Sequence, residues 1–194
     1  MNELEKMSPL EKPSFDNFIN REILNFKTGE KYRMFGGREM QFSEEDVSRI
    51  ADICSQDEIY NILFKHIFKG ASYTQESAKV FISRIEQGWK DNNFFVFITR
   101  KTNDEIVGAM DIKSANLDNA EVGYWADKNS GGFVTNQLKE LVSIARQAGY
   151  KKLFADVRVG NEKSRNVLER AGFTKKGEKQ VEDRQYEVFE KTLV

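Results

Sequence analysis

The chain has 194 residues, 39% apolar and 31% charged, with 30 Lys and Arg against 31 Asp and Glu and a formal charge of −1. That length makes one domain of ordinary size, which buries about 70% of its unfolded surface, and the even charge balance argues against nucleic acid as the main ligand, because phosphate-backbone binding draws on a basic excess. No apolar run approaches the roughly 20 residues of a membrane span, the charged start at Glu3, Glu5 and Lys6 does not read as a secretory leader, and a lone Cys54 closes no intrachain disulfide, so the expectation is a cytoplasmic protein with no membrane contact.

Residues 1 to about 20 hold both prolines and many charges around Phe15, Phe18 and Ile19, a pattern of either a docked helix or a disordered lead-in. From Glu22 to Phe42, the apolar residues around Thr28-Gly29 predict two short strands closed by Gly36-Gly37. Ser43 with Asp46 reads as a capping box, and Val47, Ile50, Ala51 and Cys54 then share a helical face. Ile59, Leu63 and Ile67 predict a second helix ending near Gly70. Thr74 starts a third, with Ala78, Phe81, Ile82 and Ile85 inward and Gly88 as its stop.

After residue 93 the period changes. Phe94–Arg100 and Ile106–Ile112 are β-rich runs joined by Lys101-Thr102-Asn103-Asp104, a hairpin pattern. Glu121–Ala126 predicts a strand, Phe133–Ala148 a helix, Leu153–Val157 a strand and Asn161–Arg170 a helix. Phe173–Lys176 and Gln185–Leu193 close as a hairpin. A strand-helix-strand unit needs a parallel pair while hairpins need antiparallel ones, so the fold class is α+β with a mixed sheet.

One segment carries chemistry. Asp127-Lys128-Asn129-Ser130-Gly131-Gly132 joins a strand directly to a helix, and its glycines let the N–H groups of residues 130 to 135 converge with the helix N-terminus on an anion, a seat for phosphate or pyrophosphate. A plain turn is the other reading of the same residues. Cys54, on an apolar face, reads as packing. His66, the single histidine, has no partners with which to build a metal site. Trp89, Tyr73 and Phe68 read as core.

Residues Asn161 to Phe173, with Asn161, Ser164, Leu168 and Gly172-Phe173 in place, resemble the Asn-x-x-Ser/Ala-x-x-x-Leu/Tyr-x-x-x-Gly-Phe signature of the GNAT superfamily of acyl-CoA N-acyltransferases. Ala120-Glu121-Val122-Gly123-Tyr124-Trp125 is similar to the Ala-Glu-Ile-Gly-Tyr strand of its RimJ/RimL-like branch, which includes ribosomal-protein N-terminal acetyltransferases. The resemblance spans residues 41–194 and leaves 1–40 as an extension. It implies a mostly antiparallel sheet split between two parallel strands, with helices on both faces. It implies acetyl-CoA as cosubstrate, no metal, and a protein N-terminus or small amine as acceptor, and it allows a homodimer. The cofactor residues it implies are Trp125, Ala126, Asp127, Ser130, Gly131, Gly132, Phe133, Val134, Thr135, Asn161 and Ser164. The catalytic residues are Glu121 as base and Ser164 beside the thioester sulfur, with Asp111 and Glu182 as further base candidates. Asn129, Val134 and Leu168 depart from the family pattern, where a long polar residue, a small residue and often a Tyr stand. That departure opens an alternative, a weakened or inactive CoA-binding or partner-binding domain.

Overall fold

Eight strands form one sheet in the computed structural model, which describes residues 12–18, 20–37 and 40–194. In chain order they are β1 (Arg21–Leu24), β2 (Lys31–Gly36), β3 (Phe95–Arg100), β4 (Ile106–Ile112), β5 (Ala120–Ala126), β6 (Lys152–Arg158), β7 (Thr174–Val181) and β8 (Arg184–Thr192). Across the sheet they run β1-β2-β3-β4-β5-β6-β8-β7. All neighbours are antiparallel except β5 and β6. Between those two a helix has to carry the chain back across the sheet, and a parallel pair is the result.

The helices are α1 (Glu44–Cys54), α2 (Asp57–Ile59), α3 (Gln75–Asp91), α4 (Val134–Gln147) and α5 (Glu162–Arg170). Helices α1 and α3 pack together on one face, and α4 and α5 on the other. Cover on both faces explains why β3 reads as a continuous apolar run: Phe95, Val96, Phe97 and Ile98 are all fully buried. The capping box foreseen at Ser43 is formed, with Ser43 Oγ accepting from the Asp46 N–H at 3.2 Å and Asp46 Oδ2 accepting from the Ser43 N–H at 2.9 Å. No helix among the described residues is long and apolar enough to cross a membrane.

Three elements differ from the sequence reading. The second helix is a single α turn that continues as a π-helical turn, Tyr60–Phe64. A π turn takes more residues than an α turn, so positions four apart drift off one face. Leu63 and Ile67 therefore point outward, with Ile67 68% exposed, while Phe64 and Phe68 pack on Tyr73 at ring separations of 4.7 and 5.5 Å. Gly88 does not stop α3. It lies inside the helix because a Cβ there would sit 2.5 Å from the Phe94 carbonyl, and the helix ends instead at Asn92 in the left-handed region, φ 56°. Strand β7 also runs longer than Phe173–Lys176, since β8 pairs with it as far as Val181.

The lead-in lies partly outside the described residues, Ile19 among them. Within its described part Phe15 is buried against Trp89 and Phe95, at 5.2 and 4.6 Å between rings. Strands β1 and β2 extend the sheet beyond β3, so residues 21–36 share its core through Ile23, Tyr32 and Met34.

Candidate active site

Strands β5 and β6 pair only at Ala120↔Leu153 and Glu121↔Phe154. Beyond these residues the strands part, β5 keeping β4 as its partner and β6 keeping β8. The Lys113 N–H donates to Glu121 O, and the Asp127 N–H to Val107 O at 2.8 Å. Antiparallel ladders alternate, so the odd-numbered residues of β5 spend their backbone groups on β4; the Val122 N–H belongs to the last rung with β6, and the Val122 carbonyl with the backbone groups of Tyr124 and Ala126 turns into the opening. An opening lined by strand edge is a place where an extended ligand can pair as a strand would.

At the wide end of the opening the chain enters a short turn, Lys128–Ser130, and then α4. Asp127 is 3% exposed and fixes this turn. It accepts from Arg49 Nη2 at 2.6 Å, Gln56 Nε2 at 2.8 Å, the Asn129 N–H at 3.1 Å and Ser130 Oγ at 3.2 Å, while Gln56 Oε1 accepts from the Lys128 N–H. Burial alone would raise the Asp127 carboxyl, but Gln56, the Asn129 N–H and Arg49 together hold it below the ordinary carboxylate range. Gly132 follows with φ 113°, a conformation that L side chains rarely adopt, and a Cβ there would lie 2.2 Å from Asn25 Oδ1. The turn between β1 and β2 locks onto it: the Phe26 N–H donates to Gly132 O at 3.0 Å and Asn25 Nδ2 to Gly131 O at 3.3 Å. Helices α1, α3 and α5 each carry a side-chain N-cap, from Ser43, Thr74 and Asn161, whereas α4 begins at Phe133 without one. Its first N–H groups are left for another acceptor.

The two faces of the opening differ. On the α5 face, the Tyr124 hydroxyl and Ser164 Oγ are 2.6 Å apart, and the same hydroxyl reaches Ser164 O at 3.1 Å. Burial pushes the Tyr124 hydroxyl up to about 12. Ser164 is held by its own N–H, which donates to Asn161 Oδ1 at 3.2 Å. On the α3 face, Glu121 is paired with Lys113, and Asp111 lies beside both. Trp125 is on this face too, with its rings 6.2 Å from Phe81 of α3.

Most of the residues foreseen from sequence therefore gather around one opening. Ala126 turns its backbone into it, whereas the backbone groups of Trp125 and Asp127 face β4. Ser130 spends its hydroxyl on Asp127, and Phe133 is wholly buried, at the place to which a Cβ on Gly108 would point. Val134 packs against the core and Thr135 is buried. Leu168 is fully buried, so no hydroxyl comes from that position. Cys54 is buried, and burial pushes its thiol up to about 12, which removes it as a nucleophile. Glu182 lies at the tip of the last hairpin, 3.0 Å from His66.

Several residues were not foreseen: the Tyr124 hydroxyl, Arg49 and Gln56 behind Asp127, and Asn25 behind Gly132. Their partners lie 40 to 106 positions away in the chain, and no local pattern announces such contacts. The Lys27 ammonium also reaches the loop, 3.4 Å from where a Cβ on Gly131 would sit, and brings a cation near a loop that has Asn129 in place of a longer residue.

A mixed sheet that splits at its one parallel pair, with helices on both faces, is the architecture of an acyl-group transferase. The chain belongs to the acetyltransferase (GNAT) domain family, whose model matches residues 40–174, more than half of its length. No curated protein matches it in sequence. Among solved structures it is similar to Mycobacterium smegmatis RimJ in complex with CoA-disulfide, at 18% identity over 89% of this chain and 86% of that one, TM-score 0.71. It is similar to the ribosomal-protein-S5-alanine acetyltransferase of Vibrio fischeri, at 19% identity over 90% and 97%, TM-score 0.67. It is also similar to the microcin C7 self-immunity acetyltransferase MccE in complex with acetyl-CoA and AMP, at 17% identity over 83% and 92%, TM-score 0.67. At these identities the likeness is one of fold.

Proposed function

We propose that the protein moves the acetyl group of acetyl-CoA to a primary amine by direct attack within a ternary complex. The observation that carries this reading is the opening between β5 and β6, with strand-edge groups of Val122, Tyr124 and Ala126 along it and the uncapped N-terminus of α4 at its end. The pantetheine arm of the cofactor pairs with that edge. The N–H groups following Gly131 receive the pyrophosphate, with Lys27 beside them. The thioester then lies between the Tyr124–Ser164 hydroxyls on one face and the charged residues on the other. Attack forms the N–C bond and breaks the C–S bond. The departing thiolate takes its proton through the Tyr124–Ser164 pair, the role that Ser164 alone had in the sequence reading.

The acceptor proposed is a protein N-terminus, which the likeness to the ribosomal-protein-S5-alanine acetyltransferase supports. A small amine is the second reading, in line with the self-immunity acetyltransferase being in complex with acetyl-CoA and a small molecule, AMP. Titration calorimetry with acetyl-CoA, followed by free-thiol release over a panel of peptides and small amines, tests both. Binding with turnover of N-terminal peptides is the expected result. No binding at millimolar acetyl-CoA would overturn the reading, and binding without turnover of any amine would favour a CoA-binding module.

A further inference from the structure

The α3 face of the opening holds a carboxylate that the packing leaves incomplete. Asp111 of β4 is half-buried, and its Oδ1 is sealed from solvent with no hydrogen-bond partner among the described residues. An unsatisfied buried acceptor is costly, and one kept beside the opening is a place for a donor. Its position is specific. Asp111 stands opposite Gly123, and its two oxygens lie 3.0 and 3.3 Å from where a Cβ on Gly123 would be. The carboxylate thus fills the side-chain space of a glycine on the strand that borders the opening, between Val122 and Tyr124, whose backbone groups face the cofactor path. A side chain at position 123 would crowd it and press it aside by a few tenths of an ångström.

The groups around Asp111 divide the work between two acids. Glu121 of β5, the base candidate of the sequence reading, is already neutralised in its pair with Lys113. From just past the end of β4 Lys113 faces Asp111, from β5 Glu121, and from α3 Arg84, while Asp156 of β6 acts on Lys113. The β3 residue paired with Asp111 is the apolar Val96. Two cations thus serve three carboxylates here, and Asp156 has a third cation of its own in Lys179 at 2.5 Å.

We infer that Asp111 is the residue whose carboxylate takes the proton that must leave the acceptor's ammonium before the amine can attack. This rests on the acetyl-transfer reading above. The protons balance as follows. The ammonium gives one proton to Asp111, which passes it to solvent. The amine nitrogen then bonds to the thioester carbon, and its second departing proton ends on the CoA sulfur by way of the Tyr124–Ser164 hydroxyls as the C–S bond breaks. Burial pushes the Asp111 carboxyl up to about 6, Lys113 draws it back, Glu121 adds to the rise, and Arg84 and the Gly123 N–H draw it back again.

The test measures kcat and KM against pH for the wild type, Asp111→Asn, Glu121→Gln and Gly123→Ala, using whichever peptide or amine of the panel turns over fastest, with acetyl-CoA affinity measured by calorimetry on each. The expected result is a wild-type rate that rises with pH through about 6 and levels off, as required if the ionised carboxylate is the active form. Asp111→Asn loses about a hundredfold in kcat and loses that acid limb while acetyl-CoA affinity stays within threefold. Gly123→Ala, which crowds the carboxylate, shows the same limb moved. Asp111→Asn with near-wild-type kcat and an unchanged limb overturns the assignment, as does Glu121→Gln alone removing the limb. If the wild type does not bind acetyl-CoA at all, the acetyl-transfer reading fails and this assignment fails with it.

Discussion

On one face of β5, Tyr124 stands against Ser164 near the uncapped start of α4; on the other, Glu121 shares its surroundings with Asp111, Lys113 and Arg84. The strand is seven residues long, and the alternation of its side chains separates the two environments by the thickness of one backbone. The first surface consists of backbone amides and hydroxyls, which bind an anion through dipoles. The second consists of ionised groups, which suit an ammonium and its proton. In the proposed function the difference teaches how a chain with a formal charge of −1 would hold a polyanion: backbone groups do not appear in the charge count.

Breaking the amide surface produces the largest effect. Gly132→Ala places a Cβ at φ 113° and 2.2 Å from Asn25 Oδ1, and the strain together with the clash costs about 3 kcal/mol or more. Acetyl-CoA binding is expected to vanish and the unfolding temperature to fall, as calorimetry and thermal unfolding would show; unchanged affinity would mean that the loop is not the seat.

Removing the anchor beneath that loop ranks next. Asp127→Ala takes a carboxylate from Gln56 and from Arg49, which keeps Glu105 at 2.7 Å, a loss of about 1–3 kcal/mol for the hydrogen bonds left unmade. Denaturant unfolding measures it, and acetyl-CoA affinity falls with it. The same carboxylate sets a pH dependence. Its folded pKa lies below the unfolded one, so its contribution is complete above about pH 4 and is lost as pH falls through the folded value. Asp46 behaves alike: burial would raise it, but Arg100 at 2.7 Å and its bonds with Ser43 hold it down. Acid titrations of the wild type and Asp127→Ala are expected to converge at low pH.

Tyr124→Phe removes the hydroxyl and leaves the ring, so it separates chemistry from packing. A drop of about tenfold to a hundredfold in kcat, with the KM for acetyl-CoA nearly constant, is expected. Combining it with Ser164→Ala should cost no more than the larger single change, because the two act as one relay. Asn161→Ala has the smallest effect, about 1 kcal/mol for a lost N-cap, with a modest fall in kcat as Ser164 loosens.

Much of this fold could be read locally. The capping box at Ser43, the hairpin at Lys101–Asp104 and the single parallel pair each follow from residues close together in the chain. The π turn after Ile59 escaped because its apolar residues fit an α period equally well, and Gly88 escaped because its reason for being glycine is the Phe94 carbonyl. The site divides in the same way. The Gly131-Gly132 turn and the Asn161 cap are local motifs. Which edge groups of β5 face the opening depends on its register with β4, and the clamp on Asp127 comes from α1 and the residue before α2, 78 and 71 positions away. Asp111 was visible as a carboxylate on a strand, but its place over Gly123 is a product of pairing.

The division of β5 into a cofactor face and an acceptor face can be tested by residue-resolved amide exchange with and without saturating acetyl-CoA. The account predicts new protection at Tyr124 and Ala126 and over Gly131 to Asn136, with the amides of Asp111 and Lys113 unchanged. Protection confined to the Asp111 side, or none along the even-numbered residues of β5, would contradict it.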